Sequence, residues 1–314
     1  MSVIRIGISG WRYAPWRGVF YPKDLPQRAE LEYASKVLPS IEINGSFYSL
    51  QTPSSYRAWA EATPSTFQFS VKCPRFITHI KRLKDIRVPL ANFFASGVLR
   101  LKEKMGPLLW QFPPSFRYDE KLLDAFFELL PRTTMGAGAL AREHDDHLRA
   151  PAWLKVDEDM PIRHVMEVRH RSFETPAFVE QLRRHKIGLV VADTAGRWPF
   201  MEDVTADLVY IRLHGDSELY VSGYTDAALA QWAEKIRKWS KGTESKDTRT
   251  LAKRLPARKS GRDVFVYFDN DVKVHAPFDA LKLAALLGLR DSAELPKGDV
   301  QTPPKARKKT RGQA

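Results

Sequence analysis

Glu167 and Arg169 sit two residues apart in the stretch VMEVRHRSF (165–173), whose Val165, Met166 and Val168 read as a strand. Successive strand residues point to opposite sides, so Glu167 and Arg169 share one face with Val165 while Met166 and Val168 share the other. A single buried charge is very costly, but a matched group is tolerable. Both charges therefore call for partners, and the other strand-like runs supply them at equivalent places. Glu42 and Asn44 fall in IEINGS, Gln68, Ser70 and Lys72 in FQFSVK, and Gln111 in LLWQF. Asp193 ends GLVVAD, Tyr210, Arg212 and His214 alternate through LVYIRLH, and Tyr267 and Asp269 close VFVYFD.

Several chemistries fit these residue types. Glu42 and Glu167, on different strands, form the pair that glycoside hydrolysis uses as acid and base, although Lys72 and Arg169 nearby would keep both ionised. Phosphoester chemistry would use Arg169, Arg212 and Lys72 as an oxyanion clamp, with His79 or His214 handling protons. A Schiff base would need Lys72 with a depressed pKa, which four adjacent acids oppose. Glu42, Glu167, Asp193, His214 and Asp269 could ligate a metal, but no H-x-x-x-H or H-x-H spacing supports it and the cations compete for the carboxylates. No metal or cofactor is therefore expected. The loops after the strands add aromatics, notably Trp11, Tyr13 and Trp16 in GWRYAPWRGVFYP, and His79 in CPRFITH. Aromatics beside acids and arginines suit a sugar ring or a nucleobase.

The elements that must position these residues alternate. Eight strand runs begin at residues 4, 41, 67, 108, 165, 188, 208 and 264, and helical periodicity follows most of them, over 27–38, 54–62, 88–104, 120–130, 176–185, 226–239 and 277–287. The sixth interval, TAGRWPFMEDVTA, has little periodicity. This alternation predicts a (β/α)₈ TIM barrel in the α/β class, with strands ending near Ser9, Ser46, Lys72, Phe112, Arg169, Asp193, His214 and Asp269. A doubly wound sheet would want a glycine-rich phosphate loop, and GISGW is not one. One domain over 1–290 is expected, followed by a basic disordered tail over 291–314.

The chain is 43% hydrophobic and 28% charged, as a globular protein is. One cysteine, Cys73, excludes a disulfide framework. The N-terminus has no leader pattern and no apolar run approaches a membrane span, so a cytoplasmic protein is expected. Of the +13 net charge, 241–262 carries +6 and 291–314 carries +3. These segments and the insertion 135–160 follow helices, which assigns them to the face opposite the pocket as a solvated loop and a tail. Weak, sequence-independent nucleic-acid contact is expected only through 241–262 and 297–311.

GISGW, EINGSFY, FQFSVKCPRFITH, GPLLWQFPP, MEVRHRSF, YIRLHG and VYFDND…HAP occur in this order. Together they resemble the YecE-like family, domain-of-unknown-function family 72, a TIM-barrel family, from about residue 4 to 287. The resemblance implies the fold and the position of the site. Motif by motif it points at Glu42, Asn44, Tyr48, Lys72, His79, Gln111, Glu167, Arg169, Arg212, His214 and Asn270. This sequence departs in Gly45, where a small hydroxyl residue is usual, and in Asp269. The reading is an enzyme-like barrel acting on a small polar or phosphorylated, anionic sugar- or nucleotide-type ligand by general acid–base hydrolysis. Glu42, Glu167, Lys72 and His214 are its catalytic candidates. Trp11, Asn44, Tyr48, His79, Gln111, Arg169, Asp193, Arg212, Asp269 and Asn270 are its binding candidates. The alternatives are a non-catalytic ligand- or nucleic-acid-binding barrel and, by analogy, an endonuclease-IV-like metal-dependent phosphodiesterase.

Overall fold

The computed structural model describes residues 2–271 and 273–291. The expected disordered tail therefore lies outside the described residues, apart from its first. Within them, β1 (Ile4–Ser9), β2 (Ser40–Ile43), β3 (Gln68–Lys72), β4 (Met105–Gln111), β5 (His164–Glu167), β6 (Gly188–Asp193), β7 (Leu208–Leu213) and β8 (Asp263–Phe268) pair in parallel and in order. β8 closes on β1, so this is the TIM barrel that the alternation predicts. Three strands end at the predicted residue (Ser9, Lys72 and Asp193); the others end one to three residues earlier.

The helices are α1 (Glu30–Val37), α2 (Gly45–Tyr48), α3 (Pro53–Glu61), α4 (Arg87–Ala95), α5 (Glu120–Leu129), α6 (Thr134–Ala141), α7 (Pro176–Arg184), α8 (Asp226–Ser240) and α9 (His275–Leu286). Thr52, Asp119, Thr175 and Thr225 start four of them, each accepting a backbone N–H three residues on. The single helix expected over 88–104 is broken instead. Gly97 turns there with φ +103°, and a Cβ on it would stand 2.5 Å from the Cα of Pro53.

Inside the barrel Leu109, Val165, Val190, Ala192, Leu208, Tyr210, Phe265 and Tyr267 form the core, and the polar residues lie above them. Gly7 is needed where β1 crosses close to β2, since a Cβ would meet the Ser40 carbonyl oxygen at 2.0 Å. The expected inward residues hold in six of the seven strands for which they were assigned and fail in β6. There Val190 and Ala192 point in, so Asp193 points out. It lies in a lateral groove of about 350 Å³ with Asp216, Lys235 and Arg249, not in the barrel mouth.

The basic segment 241–262 exposes seven of its eight bases, as a solvated loop would, but it is anchored to the body of the protein. No helix follows β6; 194–206 turns at 195–198 and then runs without regular structure, and 241–262 packs over it beside α7 and α8. The Asp203 carboxylate accepts the backbone N–H groups of Leu251 and Ala252 at 2.9–3.0 Å. Glu202 accepts that of Arg249 at 2.8 Å, and Arg183 of α7 donates to the Lys253 carbonyl at 2.9 Å. Arg249 also approaches Glu174, Arg254 binds the Thr248 carbonyl and Arg262 is buried, so several of the bases serve internal contacts. Asp203→Ala strands two partly buried N–H groups. It is expected to cost about 2 kcal/mol in urea denaturation and to open 241–262 to limited proteolysis; unchanged cleavage would refute the anchoring role.

The insertion 135–160 also departs from its expected face. It starts at the N-terminal end of the barrel, forms α6, and then climbs along α4 towards the mouth. Arg87 pairs with both Glu143 oxygens at 2.6 Å, and Asn92 and Asp145 exchange hydrogen bonds of 2.8 and 3.0 Å.

At the base of β5, His164 is fully buried. Its Nδ1 accepts from Trp110 Nε1 at 3.0 Å, and its Nε2 lies 2.8 Å from the Pro131 carbonyl oxygen, a geometry for the neutral ring. Burial depresses its pKa to about 3. The unfolded chain binds this proton near pH 6.5 and the native one does not, so the contribution is present above 6.5 and lost as pH falls towards 3. Urea midpoints should decline over that window by the equivalent of a few kcal/mol, and more steeply than those of His164→Gln; identical slopes would remove His164 as the cause.

Candidate functional site

The Arg212 guanidinium stands at the centre of the barrel mouth, fully buried at the end of β7. Three carboxylates from three strands meet on it. Nη1 donates to Glu167 Oε2 at 2.7 Å; Nη2 donates to Glu42 Oε1 at 2.9 Å and to Asp269 Oδ2 at 2.8 Å. Further donors complete the acids. Tyr210 Oη gives a 2.6 Å bond and Ser9 Oγ a 3.0 Å bond to Glu42, while Gln111 Nε2 and Arg169 Nε each donate to Glu167 Oε1 at 2.8 Å. Burial alone would raise the pKa of Glu167, but Arg169 and Arg212 outweigh it and hold the carboxyl well below its ordinary range. Glu42 and Glu167 are thus locked in ion pairs rather than spaced around open volume, which argues against the acid–base pair the sequence suggests.

His214 is buried beside them. Its Nδ1 lies 3.1 Å from Asp269 Oδ2 but out of line for a hydrogen bond, and burial and Arg212 depress its pKa. Lys72 differs from the arginines. It is 7% exposed and makes no ion pair or hydrogen bond among the described residues; its Nζ lies 4.2 Å from the centre of the Phe47 ring. Burial, and then Arg212, lower its pKa to about 8. The expectation that four acids would keep Lys72 fully charged is corrected here: Glu42, Glu167 and Asp269 are spent on arginines, and Asp193 faces away.

The rim adds further groups. The Arg169 guanidinium stacks 3.7 Å over Trp198 and reaches Tyr220 Oη at 3.4 Å. Tyr220 occupies a left-handed turn (φ +64°) and sets its ring edge-on to His214 at 5.2 Å. His79, half-buried, packs edge-on against Phe47 at 5.1 Å; burial and the nearby Arg75 lower its pKa to about 4. Across the mouth Asp271 has its pKa pushed well up, by burial and then by the charge of Asp269. Asp271 Oδ1 and Asn44 Oδ1 are buried without a partner among the described residues, which leaves two acceptors for hydroxyl donors.

Not every expected residue joins this cluster. Trp11 packs edge-on against Trp59 at 5.3 Å in the wall. Tyr48 is 70% exposed on an adjoining groove. Asn270 binds the Ser222 carbonyl at 3.0 Å and Asp279 at 2.9 Å, so it positions the loop after β7. Among the described residues no group of three or more His, Cys, Asp or Glu is arranged to hold a metal; the carboxylates that do converge enclose a guanidinium. No described helix is long and apolar enough to cross a membrane.

A family profile described as "Protein of unknown function DUF72" matches residues 5–306. The chain belongs to this family. The UPF0759 protein YunF of Bacillus subtilis (strain 168) is 29% identical over 185 residues, 57% of this chain and 55% of that protein. The chain thus aligns with about half the length of that curated relative. A solved DUF72 family protein from Thermotoga maritima is similar in fold, with TM-score 0.69 at 24% identity over 91% of this chain and 99% of that one. Another, from Enterococcus faecalis, gives TM-score 0.64 at 19% identity over 92% and 96%.

In this DUF72 chain, sequence reasoning missed the roles of Phe47, Trp198, Tyr220 and Asp271. Trp198, Tyr220 and Asp271 lie in loops that follow strands, and Phe47 lies in α2, the single helical turn after β2. GRWP and ELYVSGY put an aromatic just beyond the strand end in each case, a signal available had each loop been searched for a partner to Arg169.

Proposed function

We propose that the barrel mouth binds a small anionic, hydroxyl-bearing molecule and hydrolyses it by general acid–base catalysis. The observation that supports this most is Lys72, a buried cation with no counter-ion among the described residues, in a cup where Arg169, Arg212, Glu42, Glu167 and Asp269 are paired with one another. Lys72 and the small accessible edge of Arg169 hold the anion, and Asn44 receives a hydroxyl. Asp271, kept protonated by its surroundings, donates to the leaving oxygen, and neutral His79 accepts the proton of the attacking water. Glu42 and Glu167 fix Arg212 and Arg169 and transfer no proton to or from the substrate.

A second reading, a barrel that binds the same anion without turning it over, draws on the ion-paired state of both glutamates. Asp271→Asn separates the two, since it should lower turnover while leaving affinity near the parent's. Thermal-shift titrations with inorganic phosphate, sugar phosphates, nucleoside monophosphates and neutral sugars test the binding step. A ligand at a hundred times its Kd adds about 2.7 kcal/mol. Stabilisation by the phosphorylated compounds alone is expected; equal stabilisation by neutral sugars would overturn the reading.

A further inference from the structure

A groove of about 680 Å³ opens beside the mouth, and Phe47 is common to both: one ring carries Lys72 and His79 against it and also lines the groove. The volume is that of a small-molecule site. Its walls are mostly apolar, with Arg75, Lys81, Asp85, Asn92, Asp145 and His147 at its polar margin. Tyr48, Phe76, Ile80 and Val88 line it at 70%, 50%, 58% and 38% exposure, a concentration of large exposed hydrophobics that a solvated rim does not need.

The groove is also built. Its floor is a π-helical turn, Phe76–Ile80, a rare form that favours functional sites. This turn places His79 towards the mouth and Phe76 and Ile80 on the groove. Directly after it Arg82, Leu83 and Asp85 all have positive φ, strain of the kind that gathers at ligand sites. The outer wall is fixed from a distant part of the chain, because the Arg87–Glu143 and Asn92–Asp145 pairs hold Asp145 and His147 against α4.

We infer that this groove is a second subsite, taking the flat aromatic end of the same ligand whose anionic end Lys72 and Arg169 hold. The inference rests on the anion-binding reading above and narrows the substrate to an amphipathic anion, an aromatic group joined to a phosphate-like head. A macromolecular partner fits less well, since the apolar surface is concave, of small-molecule volume, and continuous with the cationic mouth through one ring.

The test is a set of probes of graded size: inorganic phosphate, methyl phosphate, 1-naphthyl phosphate and uncharged 1-naphthol. In the parent protein 1-naphthyl phosphate should bind at least tenfold tighter than methyl phosphate. Ile80→Ser and Phe76→Ser, both at exposed positions, should each remove most of that advantage and leave methyl phosphate unchanged. Lys72→Met should weaken both phosphates and leave 1-naphthol as it was. Equal affinities for the methyl and naphthyl esters, or a naphthyl advantage that survives both groove variants, would overturn the subsite. If methyl phosphate failed to bind while 1-naphthol bound in an Ile80-dependent way, the groove would stand and the anion reading would fall. If no probe bound, both would fall.

Discussion

Arg212→Met is expected to be the most destabilising single change in the mouth, costing roughly 4 kcal/mol, the range found when one partner of a buried ionic group is removed. The guanidinium satisfies Glu42, Glu167 and Asp269 together, and methionine fills its volume without its charge. Arg212→Lys should recover little, because an ammonium cannot present a planar fork to three carboxylates. The pH dependence identifies the cause. In the parent, the depressed pKa of Glu167 contributes stability above the ordinary carboxylate range that is lost as pH falls through the folded value. In the variant Glu167 keeps Arg169 while Asp269 loses its guanidinium, so the loss of stability on acidification that remains, from His164 and Glu167, should be shallower than in the parent. Urea denaturation from pH 4 to 8 reads this directly. A variant that lost stability on acidification as steeply as the parent does would show that Arg212 does not hold the acids.

Lys72→Met is expected to separate binding from stability. If the ammonium is the anion's main anchor, the variant should bind phosphorylated ligands at least a hundredfold more weakly. The same change should make the protein more stable near pH 7, by on the order of 2 kcal/mol, because it removes a buried charge that no carboxylate touches. The sign follows from the proton count. Lys72 titrates at about 8 in the native protein and nearer its ordinary value when unfolded. Its penalty is full below pH 8 and is relieved as pH rises beyond, so the gain in the variant should shrink above pH 8. Ligand affinity of the parent should fall over the same interval as the ammonium deprotonates. A destabilised Lys72→Met protein that binds phosphate normally would assign Lys72 to the structure and not to the site.

Much of this was legible in the linear chain because strand geometry is local. Alternation within LVYIRLH puts Arg212 and His214 on the face of Tyr210, and the same rule puts Glu42, Lys72 and Glu167 inside; an α/β repeat with eight strands then has one closed solution that gathers them. The rule failed at Asp193 for a physical reason: its register depends on where β6 meets its neighbours, and Val190 and Ala192 take the inner positions there.

What the tertiary structure alone decided is who pairs with whom. Four acids and four bases can be matched in many ways, and sequence spacing does not choose among them. Only the barrel's closure brings Arg212 between the ends of β2, β5 and β8, which uses up the carboxylates and leaves Lys72 without an ion pair among the described residues. The long insertions are the other case. Nothing local says that 241–262 replaces the missing sixth helix, or that 142–147 climbs α4 to wall a groove, because the partners of Asp203 and Asn92 lie about fifty residues away in sequence. Charge type and strand face are written in the chain itself; charge pairing, and with it which groups remain free to act, belongs to the closed barrel.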